Sequence, residues 1–116
     1  RNPKAEEGWD PDLPMPISVK RWRVKRAVIT ALGKIGDPRA VAPLEAALAR
    51  CTDFFPVTSQ LGVALGRLGS PSSIPILRRH TKHMEINTRA HATLALQLIT
   101  GEIDRATFER KIGPGQ

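Results

Sequence analysis

An eight-residue block occurs twice in this chain: Ala31-Leu32-Gly33-Lys34-Ile35-Gly36-Asp37-Pro38 returns 33 positions later as Ala64-Leu65-Gly66-Arg67-Leu68-Gly69-Ser70-Pro71. Repetition at this period marks stacked helical pairs, in which each unit buries its apolar stripe only against the units beside it. The 116 residues suffice for one such domain. Aromatic residues make up 4% of the chain and Tyr is absent, so the apolar content is mostly Ala, Leu, Val and Ile. Side chains of this kind suit closely packed helices better than a β-sandwich. The expected fold class is all-α, a short α-solenoid of about three stacked helical pairs with an extended N-terminal arm.

The units can be followed along the chain. Residues 1–17 hold Pro3, Pro11, Pro14 and Pro16 with Gly8 and four carboxylates, a composition that resists helix. They read as an extended, proline-rich arm, with Trp9, Leu13, Met15 and Ile17 placed to dock it. Residues 18–116 read as the repeat domain. Ser18 is positioned to cap the first helix. Val24, Ala27, Val28, Ala31, Leu32 and Ile35 recur at helical spacing, which predicts one buried face. Gly36 ends that helix. Asp37-Pro38 begins the next, because the carboxylate serves orphan amides and Pro lacks a donor where none is needed; Val41, Leu44 and Leu48 then face the core.

Beyond a connection at Cys51 to Asp53, the second unit rewrites the first with Val57, Leu61, Ala64, Leu65 and Leu68, then Ser70-Pro71, then Ile74 and Leu77. A third unit carries Thr88, Ala92, Ala95, Leu96 and Ile99 and closes at Gly101. Asp104 there caps a last short helix, between Ile103 and Phe108. Gly33 and Gly66 interrupt their helices at a cost of about 1 kcal/mol each relative to Ala. They are predicted to lie where a neighbouring helix comes too close for a Cβ.

Val24-Lys25-Arg26 leading into Ala31 through Val41, and Gly69-Ser70-Pro71 followed by Ile74-Pro75-Ile76-Leu77, resemble the short HEAT-like repeat of the phycobilisome-lyase type. The likeness spans Val24 to Ile112. It departs at Ala42-Pro43, where the order is swapped, and at Gln97, which stands where the other units have Gly. The resemblance implies a right-handed superhelix with the second helices on its concave side. Proteins with such repeats include bilin-attachment factors, adaptors and subunits of large assemblies; the repeat itself brings no catalytic residue and no cofactor.

The net charge of +7 is unevenly placed, since residues 1–16 carry two basic and four acidic side chains and the remainder sixteen basic and seven acidic. A basic repeat domain favours an anionic partner: acidic protein, RNA or DNA. Candidate partner-binding residues are Lys20, Arg21, Trp22, Arg23 and Arg26 at the entry to the first helix, and Arg78, Arg79 and Lys82 on the fourth. Trp22 packs under the arm or faces the partner. Phe54-Phe55-Pro56 is expected to seal the junction between units. Nucleic acid would be tracked through phosphates rather than read through bases, because no stacking platform is present.

His80 and His83 share the spacing of a metal pair, yet zinc needs at least three converging ligands, so they are expected to face solvent. Cys51 has no nearby His to activate it, and Glu6-Glu7 fall in the arm. No metal, cofactor or enzymatic activity is therefore expected. The lone Cys51 calls for no oxidising compartment, and no apolar run is long enough to span a bilayer; the chain is expected to be soluble and intracellular. Arg1 in place of an initiating Met leaves a processed precursor and an excised domain both open. The function expected is a non-catalytic scaffold or accessory subunit that binds protein within a larger complex, the alternatives being a ribonucleoprotein component and, more remotely, a bilin lyase subunit.

Overall fold

The computed structural model describes residues 22–50 and 55–116. They form six α-helices: α1 (Trp22–Ile35), α2 (Val41–Arg50), α3 (Phe55–Leu68), α4 (Ile74–His80), α5 (Ile86–Ile99) and α6 (Arg105–Ile112). No strand occurs among the described residues, and none of their helices is long and apolar enough to cross a membrane. The fold is all-α and solenoid-like. The long helices α1, α3 and α5 make one row, each packed along the next; α2 lies against α3, α4 against α5, and α2 and α4 touch each other. The arm, the Ser18 cap, the Cys51 connection and Phe54 lie outside the described residues.

The repeated block owes its recurrence to turn chemistry. Gly36 and Gly69 end α1 and α3 at φ of 78° and 71°, a left-handed conformation that a Cβ disfavours. Asp37 then accepts the Arg39 amide at 2.9 Å, and Ser70 accepts the Ser72 amide at 3.3 Å. In both units Pro stands first in a short 3-10 turn (Pro38–Ala40, Pro71–Ser73) that runs straight into the following helix. In the third unit Asp104 caps α6 by accepting the Thr107 amide at 2.7 Å, and Phe108 is fully buried.

The two helical glycines sit where the helices of the row cross. A Cβ built on Gly33 would lie 2.8 Å from Ala64 Cα, and one on Gly66 would lie 2.8 Å from Ala95 Cβ. Each unit thus presents an alanine to the glycine of the unit before it. That approach is closer than any larger side chain allows, which accounts for glycine inside a helix despite its lower propensity.

The buried face of α1 is not the one its apolar spacing predicts. Val57, Leu61, Ala64 and Leu65 are all buried in α3, as are Thr88, Ala92 and Ala95 in α5. In α1 the corresponding residues point outward: Val24, Val28 and Ile35 are 52%, 41% and 73% exposed, and Ala27 and Ala31 are exposed as well. Leu32 is half-buried, and Ile29 and Gly33 are the residues of α1 that are fully covered. In α3 and α5 this stripe is covered by the preceding helix of the row. For α1 no such helix exists among the described residues.

α3 is enclosed on every flank, and each residue from Val57 to Arg67 is buried. α1 and α5 cover its sides and α2 a third flank. The last flank is covered from the C-terminal end: Phe108 of α6 reaches Gly66, and Arg67 bonds to Glu109 and to the Gln116 carbonyl. A helix buried all round is normally apolar all round, yet this one carries Ser59, Gln60 and Arg67. Both amide atoms of Gln60 are buried without a hydrogen-bond partner.

Candidate interaction surface

The basic residues singled out from the sequence are divided by the fold. Lys20 and Arg21 lie outside the described residues. Trp22 opens α1, half-buried, and the exposed Arg23 guanidinium stands 5.0 Å from its ring centroid, within range of a cation–π attraction. Arg26 is half-buried and donates to the Gln116 side chain at 2.7 Å, so it fastens the C-terminus to α1. Arg78 and Arg79 are exposed on α4, with Lys82 in the turn beyond it. α4 packs on α5 and α2 rather than on α1, so these three form a group apart from Trp22 and Arg23.

Arg67 was hidden from sequence reading. It takes the place that Lys34 holds in the first unit, and both are basic, but Lys34 is exposed while the Arg67 side chain is 2% exposed. Its guanidinium grips Glu109 with two bonds, Nε to Oε2 at 3.0 Å and Nη2 to Oε1 at 2.7 Å. Arg105 adds a third bond to the same carboxylate at 2.6 Å. The Arg67 bond above all, with Arg105 assisting, pulls the Glu109 carboxyl down to about 2 against the opposing effect of burial. A partner 42 residues away leaves no local mark in the sequence.

A second tie joins the first and second units. The Glu45 carboxylate on α2 accepts the hydroxyls of Ser72 and Ser73 at 2.9 and 2.8 Å. It pins the turn that starts α4, and nothing in the repeat pattern signals it, since the first unit has Arg39-Ala40 in place of Ser72-Ser73.

The histidines are placed differently from expectation. His80 does not face solvent: it is buried, its Nδ1–H donates to the Ile76 carbonyl at 2.9 Å, and its ring stacks on that of His83 at 5.8 Å between centroids. His83 in turn accepts the Glu85 amide at 3.0 Å. Among the described residues no group of three or more His, Cys, Asp or Glu converges on a point. His91 lies apart from both, in a cleft of about 240 Å³ lined by Arg26, Phe55, Pro56, Ser59, Asn87, Ile112 and Gln116. Burial holds the His91 imidazole below its ordinary value, the Ser59 backbone and Glu85 opposing the shift and Arg26 adding to it. Its Nδ1 is buried without a hydrogen-bond partner.

Residues 17–59 match the HEAT repeats family. A stretch of 75 residues, 65% of the chain, is 35% identical to human deoxyhypusine hydroxylase and covers 25% of that protein. The chain therefore spans about a quarter of the length of this relative. No solved structure matches. The similarity runs against the expectation of no enzymatic activity, because this distant relative is an enzyme. The family match at residues 17–59, the glycine-to-alanine stacking of α1, α3 and α5, and the repeated capped turns together support a HEAT-like arrangement of helical pairs.

Proposed function

We propose that the chain is a protein-interaction scaffold, held as an accessory subunit in a larger assembly by its basic outer surface. The observation that carries this reading is the group Arg78, Arg79 and Lys82, exposed together at the end of α4 and beside it, with no ion pair to a carboxylate among the described residues. Cations left unpaired on a rigid helix steer an acidic partner and select against a basic one. Trp22 and Arg23, with Lys20 and Arg21, form the second part of the proposed surface. Changing Arg78, Arg79 and Lys82 together to Glu should leave folding intact, because all three are exposed. Purified from the native source, the triple variant should lose the acidic proteins that the parent retains. Equal recovery of the same proteins by both would defeat the reading. No observation favours nucleic acid, and a salt-dependent shift of labelled RNA or DNA by the parent alone would be needed to bring it in.

The likeness to deoxyhypusine hydroxylase supports a second reading, in which this repeat unit belongs to a hydroxylase-type enzyme. Incubation with a deoxyhypusine-containing protein, followed by mass spectrometry for one added oxygen, tests it directly. The narrower resemblance, to the phycobilisome-lyase type, rests on the Gly-Asp-Pro and Gly-Ser-Pro turns and would bring bilin attachment with it. A spectral change on mixing with a bilin and its acceptor would support that reading.

A further inference from the structure

The cleft of about 240 Å³ that holds His91 is lined from α1, α3, α5 and α6, and its walls are of two kinds. Phe55 and Pro56 at the start of α3 and Ile112 at the end of α6 are apolar. Arg26, Ser59, Asn87, His91 and Gln116 are polar, and none of the lining side chains is a carboxylate. Asn87 and His91 stand one turn apart on α5 and so share a face. Arg26 is half-buried here and makes no ion pair to a carboxylate among the described residues. It meets only a neutral acceptor, the Gln116 side chain, through Nη2 at 2.7 Å, and its planar fork keeps further N–H donors for a second one. A guanidinium drawn out of water without a counter-charge is costly, and an anion brought into the cleft offsets that cost. His91 adds no charge of its own above pH 7, because burial holds its imidazole below the ordinary 6.5.

We propose that the cleft binds a small monocarboxylic acid with an apolar, ring-sized body, its carboxylate on Arg26 and its body against Phe55 and Ile112. Charge selects the head group. One guanidinium balances one negative charge, and its fork matches the two oxygens of a carboxylate. A phosphate dianion would leave one charge uncompensated, since Arg26 is the cleft's one lining cation. Asn87, exposed on the same wall as His91, supplies an amide donor to the same carboxylate. Size selects the body. An apolar cavity of about 150 Å³ holds benzene, so about 240 Å³ admits such a ring with its carboxyl group. A concave site with apolar walls and a few convergent polar groups is the usual form of a small-molecule site. The inference goes beyond the scaffold reading, and the cleft shares no residue with Arg78, Arg79 and Lys82.

Benzoate is the probe, compared with benzamide, which has its shape without its charge, and with inorganic phosphate. Titrated above pH 7 into the nitrogen-15-labelled full chain, benzoate should move the side-chain amide signals of Asn87 and Gln116 and the imidazole signals of His91 in a saturable way. It should bind about tenfold or more tighter than benzamide, the difference a charged hydrogen-bonded pair makes. Arg26→Gln should lower the affinity for benzoate to that for benzamide and leave benzamide binding as it was. Arg26→Lys, which keeps the charge and loses the fork, should fall between. Because Arg26 also fastens Gln116, a second variant avoids that tie: Asn87→Asp changes an exposed side chain, should leave Tm unchanged, and sets a carboxylate beside Arg26 that competes with the ligand. Its affinity for benzoate should drop about tenfold. The proposal is overturned if benzoate gives no saturable shift at these residues, or if benzamide binds equally well. Tighter binding of phosphate than of benzoate would also overturn it, as would benzoate binding that both Arg26→Gln and Asn87→Asp leave unchanged. Loss of the acidic partners from the triple Glu variant bears only on the scaffold reading, and benzoate binding only on the cleft, so the two can fail separately.

Discussion

α1 and α3 carry the same apolar stripe in the same register and meet opposite fates. In α3 the stripe is covered by α1 and α2 and every residue of it but Leu68 is fully buried; in α1 it faces outward. A repeated pattern specifies which face of a helix is made for packing, but the neighbour that covers that face comes from another unit. In a solenoid the first helix therefore reads as core whether or not anything precedes it.

The sharpest test of the contrast is to truncate the same position in both helices. Leu61→Ala in α3 removes a side chain that is 1% exposed and should cost about 4 kcal/mol through lost burial and the cavity left behind. Val28→Ala, one repeat earlier, should cost no more than about 0.5 kcal/mol, the usual range for a surface change. Chemical denaturation of the two variants measures both. Equal costs would show that Val28 is covered in solution and would erase the distinction between the helices.

Next in size is the helix crossing. Gly66→Leu drives a side chain into Ala95 and the ring of Phe108 and should destabilise by about 3 kcal/mol, as overpacking does where backbone, not a flexible side chain, is in the way. Gly33→Leu should act similarly at Ala64. Ala31→Leu should be neutral, because Ala31 is exposed and no glycine among the described residues meets it. A thermal melt of the three variants decides whether the row is open at α1 alone.

These pairs also mark what was legible. Gly36, Gly69 and Gly101 announced the helix ends, because a positive φ demands a residue without a Cβ, and Asp37, Ser70 and Asp104 announced the starts, because a cap needs a short polar side chain. The buried faces of α3 and α5 followed from spacing. The outward face of α1 did not, since exposure depends on what lies beyond the helix. Nor did the burial of Arg67 against the exposure of Lys34: two basic residues in equivalent places are separated only by where Glu109 and the C-terminus come to rest. The basic surface was legible as charge alone. Its division into a Trp22–Arg23 group and an Arg78–Lys82 group required the packing of α4 on α5, and Arg26 proved to be a tie to Gln116.

The contrast between Arg67 and Lys34 gives the third prediction. Glu109→Ala strands a buried guanidinium that keeps only its bond to the Gln116 carbonyl. Loss of one partner of a buried pair is costly, but the Glu109 carboxylate is itself 38% exposed, so about 2 kcal/mol is expected. Lys34→Ala should be silent. The Glu109 carboxyl sits near 2 in the folded chain, below its ordinary 4.5. Its stabilising contribution is therefore present above about 4.5 and is lost as pH falls toward 2. The acid limb of a stability–pH curve should flatten in Glu109→Gln, and an unchanged limb would mean that Arg67 does not hold the carboxylate in solution.

The smallest expected effect distinguishes the two capped turns. Asp37 is engaged by its own neighbour, Arg39, through backbone and side chain alike, so the first turn is stabilised within itself. Ser70 caps the second turn and also shares a hydrogen bond with Ser72, which donates to Glu45 on α2. The second turn is therefore tied to the unit before it. Ser70→Ala removes one cap, worth about 1 kcal/mol, or a Tm lower by about 4–8 °C for a domain of this size. Glu45→Ala should add a comparable loss by freeing the Ser72 and Ser73 hydroxyls. Because both act on one connected set of hydrogen bonds, the double variant should lose less than the sum of the two. Full additivity would mean that the cap and the inter-unit tie are independent, and that the second turn, like the first, stands by itself.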